Sequence, residues 1–271
     1  MKEKRIYSQS QMTIEELKAD SKTLFICSHS GGKDSQAMYA HLKGRIPSNR
    51  LIVVHSDLGR VEWEGTLAHV KKYLSHDLKV IKAPDLLAMV EKRGMWPDGK
   101  VRYCTNNLKT DLILKLADEL AREGGFNQIV NCLGIRAEES NKRAEKIPFE
   151  FDSKKSAPTK GRFIYTWLPI FEWTTRDVFK FIEVNGELPH YAYLKGMSRL
   201  SCRFCVLANK ADLKLSASLN PELLTEYVDL EKKIGHTIKL HQAKPITLDK
   251  WLELPVKRKG KDLTLYSDVC G

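Results

Sequence analysis

No window of this 271-residue chain approaches the roughly eighteen uninterrupted apolar residues that a membrane-crossing helix needs. The opening run MKEKRIYSQSQM lacks the apolar centre of a secretion signal. Internal repeats and low-complexity tracts are absent as well. Membrane-embedded, secreted and solenoid classes therefore drop out, and the expectation is a cytoplasmic protein with no membrane partner. The six cysteines do not suggest a disulfide framework in such a chain. Cys27 and Cys132 sit in apolar runs as small hydrophobes, whereas Cys104, Cys202, Cys205 and Cys270 have polar or glycine-rich neighbours open to metal or thiol chemistry. Acidic residues are also in deficit. Against 45 lysines and arginines stand 34 acids, for a net charge of +11 and a pI near 9.3. That balance favours an anionic partner, either nucleic acid or a strongly anionic small substrate, with solubility as the plainer alternative. The Walker A spacing GxxxxGK[ST] is missing too.

What is present is the stretch TLFICSHSGGKDSQAMY, from Thr23 to Tyr39. Leu24, Phe25 and Ile26 make a short apolar strand, and Ser30-Gly31-Gly32-Lys33-Asp34-Ser35 turns the chain into a helix starting near Gln36. Such a turn offers backbone N–H groups to an anion. Its glycines permit close approach, the helix start adds partial positive charge, Lys33 adds a full one, and Ser30 and Ser35 can donate hydroxyl hydrogen bonds.

Strand and helix patterns alternate from there. Helices are expected over residues 13–20, to Leu42, and over 62–74, 84–92, 110–123 and 176–185, with strands at 51–54, 79–81, 128–133 and 163–165. Asp57 and Gly59 follow the second strand, where ligands of open parallel sheets bind. Residues 95–103 read as loop, and the basic string 152–162 as a mobile surface loop. The order argues for an α/β fold, a doubly wound, mostly parallel sheet with helices on both faces. A domain over 1–186 is followed by a helical and irregular extension over 187–271, with helices at 208–215 and 221–234 and a basic tail at 256–261.

SGGKDS after a strand resembles the pyrophosphate loop of the adenine nucleotide alpha-hydrolase superfamily, the ATP-pyrophosphatase (PP-loop) type with its HUP-like fold. Four later strings narrow the resemblance. Arg102 to Lys109 is similar to the R-x-C-T-x-x-L-K element of the phosphoadenosine phosphosulfate (PAPS) reductase family. Gly134-Ile135-Arg136-Ala137-Glu138-Glu139-Ser140 with Arg143 resembles its G-x-R-x-x-E-S-x-x-R element. Leu168 to Val178 resembles P-I-x-x-W-T-x-x-D-V, and Pro189 to Cys205 resembles the H-x-x-Y, R-x-x-C-x-x-C ending. The resemblance covers about residues 22–207, and the family includes a DNA phosphorothioation sulfurtransferase branch.

The resemblance implies ATP, or the sulfonucleotides PAPS or APS, bound by Ser30, Gly31, Gly32, Lys33, Asp34 and Ser35 together with Asp57, Arg102, Lys109, Gly134, Arg136 and Glu138. Lys33, Arg136 and Arg143 would act in catalysis. The alternative for the arginines is salt bridging to Glu138 or Glu139. Asp34 or Asp57 could hold Mg²⁺, with helix capping as the alternative for Asp34. Cys104, Cys202 and Cys205 could ligate a 4Fe-4S cluster or zinc, although Tyr103 stands where the assimilatory reductases have the first of two adjacent cysteines. Cys270, in a terminal SDVCG, could be a mobile nucleophile or a functionless end. Two activities follow. One is cleavage of ATP between the α and β phosphates to adenylylate an acceptor for sulfur transfer, on DNA, tRNA or a small molecule, with a sulfur donor such as a cysteine desulfurase. The other is sulfonucleotide reduction with thioredoxin. A non-catalytic nucleotide-binding accessory protein is the third reading. The intact Lys33 and glycine pair favour ATP.

Overall fold

The computed structural model describes residues 12–255 and 266–267. Cys270 and the basic run 256–261 lie outside the described residues. Six strands form one sheet in the order β3-β2-β1-β4-β6-β5: β1 Thr23–Ser28, β2 Leu51–Asp57, β3 Leu78–Lys82, β4 Gln128–Cys132, β5 Phe149–Phe151 and β6 Phe163–Trp167. All neighbours are parallel except the edge strand β5, which runs antiparallel to β6. This is the doubly wound α/β sheet the sequence implies.

The central strands β1 and β4 are buried on both faces because helices cover both sides of the sheet. Phe25 and Cys27 point into one core, where the helices Lys33–Leu42 and Thr175–Val184 pack, and Leu24 and Ile26 point into the other, under Asp111–Glu123. Cys27 stands opposite Cys132 in the β1–β4 register, and both are fully buried, which pushes both thiols up. They are core residues, as their surroundings in the sequence suggested. The capping box at residues 13–20 forms as expected, with the Glu16 carboxylate accepting the Thr13 N–H at 2.6 Å ahead of the helix Ile14–Ala19.

Four sequence expectations change. The helix expected over 62–74 is confined to Thr66–Lys72, because Gly65 at φ +73° sets a left-handed turn before it. The first site helix begins at Lys33 rather than Gln36, which places Lys33 and Asp34 in its first turn. The string 152–162 is a structured connection between β5 and β6. It has a short 3₁₀ turn at Pro158–Lys160, and the Arg162 guanidinium lies 2.6 Å from Asp118. A hairpin, β7 Lys239–His241 with β8 Lys244–Ile246, escaped the sequence reading because Gln242 and Ala243, not glycines, occupy its positive-φ turn.

The carboxy-terminal extension shares a core with the β2–β3 side of the sheet. Leu58, Leu86, Val90 and Tyr103 pack with Phe204, Tyr227 and Leu248, and Trp96 stacks on Tyr227 at 4.9 Å. That packing anchors residues 193–205 against the carboxyl ends of the strands. Among the described residues no helix is long and apolar enough to cross a membrane.

Candidate nucleotide site

The sheet order changes direction between β1 and β4, and the loops leaving their carboxyl ends form a crevice there. From β1 comes the Ser30–Ser35 turn. The Ser35 hydroxyl donates to the Gly32 carbonyl at 2.9 Å and accepts the Ser30 N–H at 3.1 Å, so the serines brace the loop. Gly31 adopts φ +76°, and a Cβ there would come within 2.5 Å of the Thr66 methyl. Its N–H donates to His29 Nδ1 at 3.1 Å, and burial pushes His29 down to about 3, so that ring stays a neutral acceptor. The helix start leaves the first-turn N–H groups of Asp34 and Ser35 without intrahelical acceptors.

From β4 comes Gly134. A Cβ on it would lie 2.9 Å from the Asp34 carbonyl carbon and oxygen, so only glycine lets the two loops close on each other. From the extension comes Tyr193, whose hydroxyl accepts the N–H groups of Lys33 and Leu200, each at 3.1 Å. Three distant segments thus converge on one turn.

They enclose a chamber of about 270 Å³ lined by Ser30, Gly32, Lys33, Ser35, Gly134 and Arg199. It adjoins a larger one of about 550 Å³, and Ser28, Ser30, Lys109, Leu133, Ile135 and Arg143 border both. The floor of the larger chamber includes Val54 and Ile113, while Arg102, Lys142, Lys146 and Lys155 bring positive charge to it. A small cationic chamber beside a larger, partly apolar one matches a phosphate chain joined to a nucleoside.

The charges within are paired in a chain. Lys33 Nζ lies 3.1 Å from Asp34, whose other oxygen lies 2.6 Å from Arg136 Nε. Burial would depress Lys33, yet Asp34 and Tyr193 raise it above its ordinary value. Burial would raise Asp34, yet Lys33 and Arg136 hold it below the usual carboxylate range. Arg136, 2% exposed, spends its remaining recorded bonds on Glu138 at 2.8 Å, the Trp173 carbonyl at 3.0 Å and the Thr175 hydroxyl at 3.1 Å.

Arg136 and Glu138 therefore line neither chamber and brace the loop from behind. Both had been expected to touch the nucleotide, and the salt-bridge alternative describes them better. Arg143 lines both chambers while ion-paired with Glu139, and Lys109 and Arg102 reach the larger one as expected.

Asp57 is the last residue of β2, its carboxylate accepts the Gly59 N–H at 2.8 Å, and it lines neither chamber. Asp34 does not cap its helix either, since Gly32 occupies the cap. With Asp34 held by two cations and Asp57 turned into a local loop, neither carboxylate is a preset Mg²⁺ ligand.

Tyr193, Arg199 and Glu139 were missed as site residues. The first two stand inside the quoted H-x-x-Y and R-x-x-C strings, so the signal existed. Their convergence on Lys33 depends on a contact 160 residues apart.

Cys104, Cys202 and Cys205 gather against the core shared by the extension and the β2–β3 side. Burial pushes Cys202 up to about 12 and also raises Cys104, with the neighbouring thiols adding to both shifts. Among the described residues, however, no group of three or more His, Cys, Asp or Glu is arranged to hold a metal ion. The three cysteines as they stand therefore make no preset metal cage among the described residues. Tyr103 is part of that core, donating to the Met95 carbonyl at 2.6 Å.

Residues 25–208 match the family model for the phosphoadenosine phosphosulfate reductase domain. An uncharacterised protein of Methanocaldococcus jannaschii is 29% identical over 235 residues, covering 86% of this chain and 53% of the relative. The chain spans about half the length, or less, of the curated relatives it matches. Among solved structures, the phosphoadenylyl-sulfate reductase of Candida auris in its phosphate complex aligns at 14% identity and a TM-score of 0.41, over 66% of this chain and 80% of its own. The U34-tRNA thiolase of Methanococcus maripaludis, solved with its 4Fe-4S cluster, aligns at 16% identity and a TM-score of 0.41, over 92% and 76%.

Proposed function

The chain belongs to the phosphoadenosine phosphosulfate reductase domain family, and from that premise we propose that it is an ATP-pyrophosphatase-type enzyme. It cleaves ATP between the α and β phosphates and adenylylates an acceptor for sulfur transfer. The observation that carries this reading is the complete SGGKDS turn, closed by Gly134 and Tyr193 around a chamber with room for two phosphates beyond the nucleotide. A sulfonucleotide has no β and γ phosphates to fill such a cradle.

In the reaction, the loop N–H groups, Ser30 and Lys33 hold the departing pyrophosphate, and Arg199 and Arg143 face the charge that develops at the α phosphate. Asp34 and Arg136 act indirectly, fixing Lys33. An acceptor oxygen or carbonyl attacks the α phosphorus from the larger chamber as the bond to the bridging oxygen breaks, and pyrophosphate leaves. Arg102, Lys142 and Lys146 would draw an anionic acceptor such as DNA or tRNA toward that chamber. Asp34 and Asp57 supply no preset cation site, and the three cysteines no preset cluster site among the described residues.

Incubation of the purified chain with α-labelled ATP and candidate acceptors tests the proposal. Labelled AMP or an adenylylated acceptor supports it, whereas sulfite release from PAPS or APS with thioredoxin, and inert ATP, would replace it with the reductase reading.

A further inference from the structure

Two backbone N–H groups end on the Tyr193 hydroxyl: that of Lys33, in the first turn of the site helix, and that of Leu200, each at 3.1 Å. They fill the acceptor positions of the phenolic oxygen, and what remains to it is its own O–H. No acceptor for that O–H is recorded among the described residues. The Asp34 carboxylate, near enough to act on the phenol, spends its oxygens on Lys33 and Arg136. The ring itself is fixed. Tyr193 is 2% exposed, packs edge-on against Phe179 at 5.6 Å, and ties its backbone N–H to the His190 carbonyl at 2.9 Å. Burial raises the phenol above its ordinary value against the opposing Lys33 and the two N–H groups, with Asp34 adding to the rise, so the O–H stays protonated through the neutral range.

The open direction is the smaller chamber. Tyr193 lines it beside Gly32, Lys33 and Ser35, and it does not line the larger one. A Cβ on Gly32 would lie 3.3 Å from the hydroxyl oxygen, so glycine at that position keeps the hydroxyl accessible from the turn. A buried donor left without an acceptor is costly, and an ionised phosphate oxygen seated on the turn is the acceptor that this one lacks.

We propose that Tyr193 contacts the substrate directly, its O–H donating a hydrogen bond to an oxygen of the departing pyrophosphate. The inference rests on the nucleotide reading above and goes past the bracing role that the two N–H bonds describe. The proton stays on the phenol throughout. As the bond between the α and β phosphates breaks, negative charge moves onto the pyrophosphate and the hydrogen bond to it strengthens, so Tyr193 favours the leaving group over intact ATP. Through one hydroxyl, the start of the site helix and the carboxy-terminal extension both meet the phosphate chain.

Titration calorimetry of the full chain with inorganic pyrophosphate, together with a crystal structure of that complex, tests this. The complex should place a phosphate oxygen about 2.5–3.0 Å from Tyr193 Oη, a contact in which the phenol, its lone pairs taken, is the donor. Tyr193→Phe keeps the ring against Phe179 and should weaken pyrophosphate binding about 10–100-fold, as expected for a lost hydrogen bond to a charged group. Phenylalanine also strips Lys33 and Leu200 of their acceptor, so a second variant separates the two roles. Replacing Tyr193 by 3-fluorotyrosine makes the hydroxyl a better donor and a poorer acceptor. At a pH where it stays protonated, pyrophosphate should bind about twofold more tightly if the hydroxyl donates, and no more tightly if it only braces. A bound pyrophosphate with no oxygen within about 3.5 Å of Tyr193 Oη, an affinity unchanged in Tyr193→Phe, or a fluorinated chain that binds no tighter overturns the assignment and leaves the ATP reading standing. No pyrophosphate binding by the wild-type chain sinks both. Should Tyr193→Phe fail to fold, the wild-type complex and the fluorinated chain still decide.

Discussion

The SGGKDS turn and the cysteine corner are both short sequence strings with a chemical meaning, yet only the turn has its geometry already set. At the turn the working groups are largely backbone N–H groups, and their geometry follows from Gly31, Gly134 and the helix beginning at Lys33. At the corner the working groups would be three side chains on two segments about a hundred residues apart, and those side chains pack against an apolar core without a preset metal geometry among the described residues. A backbone-built anion cradle can be read from contiguous residues. A ligand set made of side chains needs a spacing that no single string encodes.

The sharpest way to break this contrast is Lys33→Ala. If the turn is the pyrophosphate cradle, ATP cleavage should fall by about 10²–10³-fold, as when a preorganised charge is removed from a transition state. A steady-state rate within threefold of wild type would show that the turn is only structural. Gly134→Ala comes next. Its Cβ would press on the Asp34 backbone, and a displacement of that kind should cost about 10²-fold in turnover, measured in the same assay. Equal rates would mean that the two loops need not close.

Asp34→Ala tests the support behind the cradle. It leaves Lys33 and Arg136 buried together without their shared acid, and urea unfolding should report a loss of about 3 kcal/mol. A loss below about 1 kcal/mol would mean that Glu138 alone neutralises Arg136.

Acid should weaken the same half of the molecule. Burial pushes His29 down to about 3 and His69 and His190 to about 4, so the folded chain keeps them neutral while the unfolded chain protonates them near 6.5. Stability should fall as pH drops from about 6.5 toward 4, by at most about 1.4 kcal/mol per pH unit for each ring. His55 works in the other direction. Its raised value gives stability that is complete below the unfolded value and lost as pH rises through the folded one, but it is one ring against five, since burial also pushes His41 down to about 4 and lowers His76. Denaturant midpoints at pH 7.5 and pH 5 check the sum, and a higher midpoint at pH 5 would reverse the assignment. The smallest expected signal belongs to the cysteine corner. Anaerobic purification followed by iron, sulfide and zinc analysis should find well under one metal site per chain. A stoichiometric cluster would show that Cys104, Cys202 and Cys205 rearrange around it.

Much of the fold was legible because burial on both faces leaves β1 and β4 with short apolar runs, at residues 24–27 and 129–130, and because Thr13, Gly94 and Gly124 mark helix ends locally. The edge strand β5 was not legible, since three residues carry too little period, and neither was the hairpin with its non-glycine turn. For the site, the sequence by itself determined the make-up of the turn that the proposed function uses: one lysine, two glycines and two serines in contiguous order. Only the tertiary structure decided which cations face the cleft. It turned Arg136 inward onto Asp34 and Glu138, carried Arg199 and Tyr193 in from the extension, and took Asp57 out of reach. The reason is physical. Backbone hydrogen-bonding geometry is set by neighbours in the chain, whereas the partner of a long charged side chain is whichever opposite charge the packed fold brings within reach.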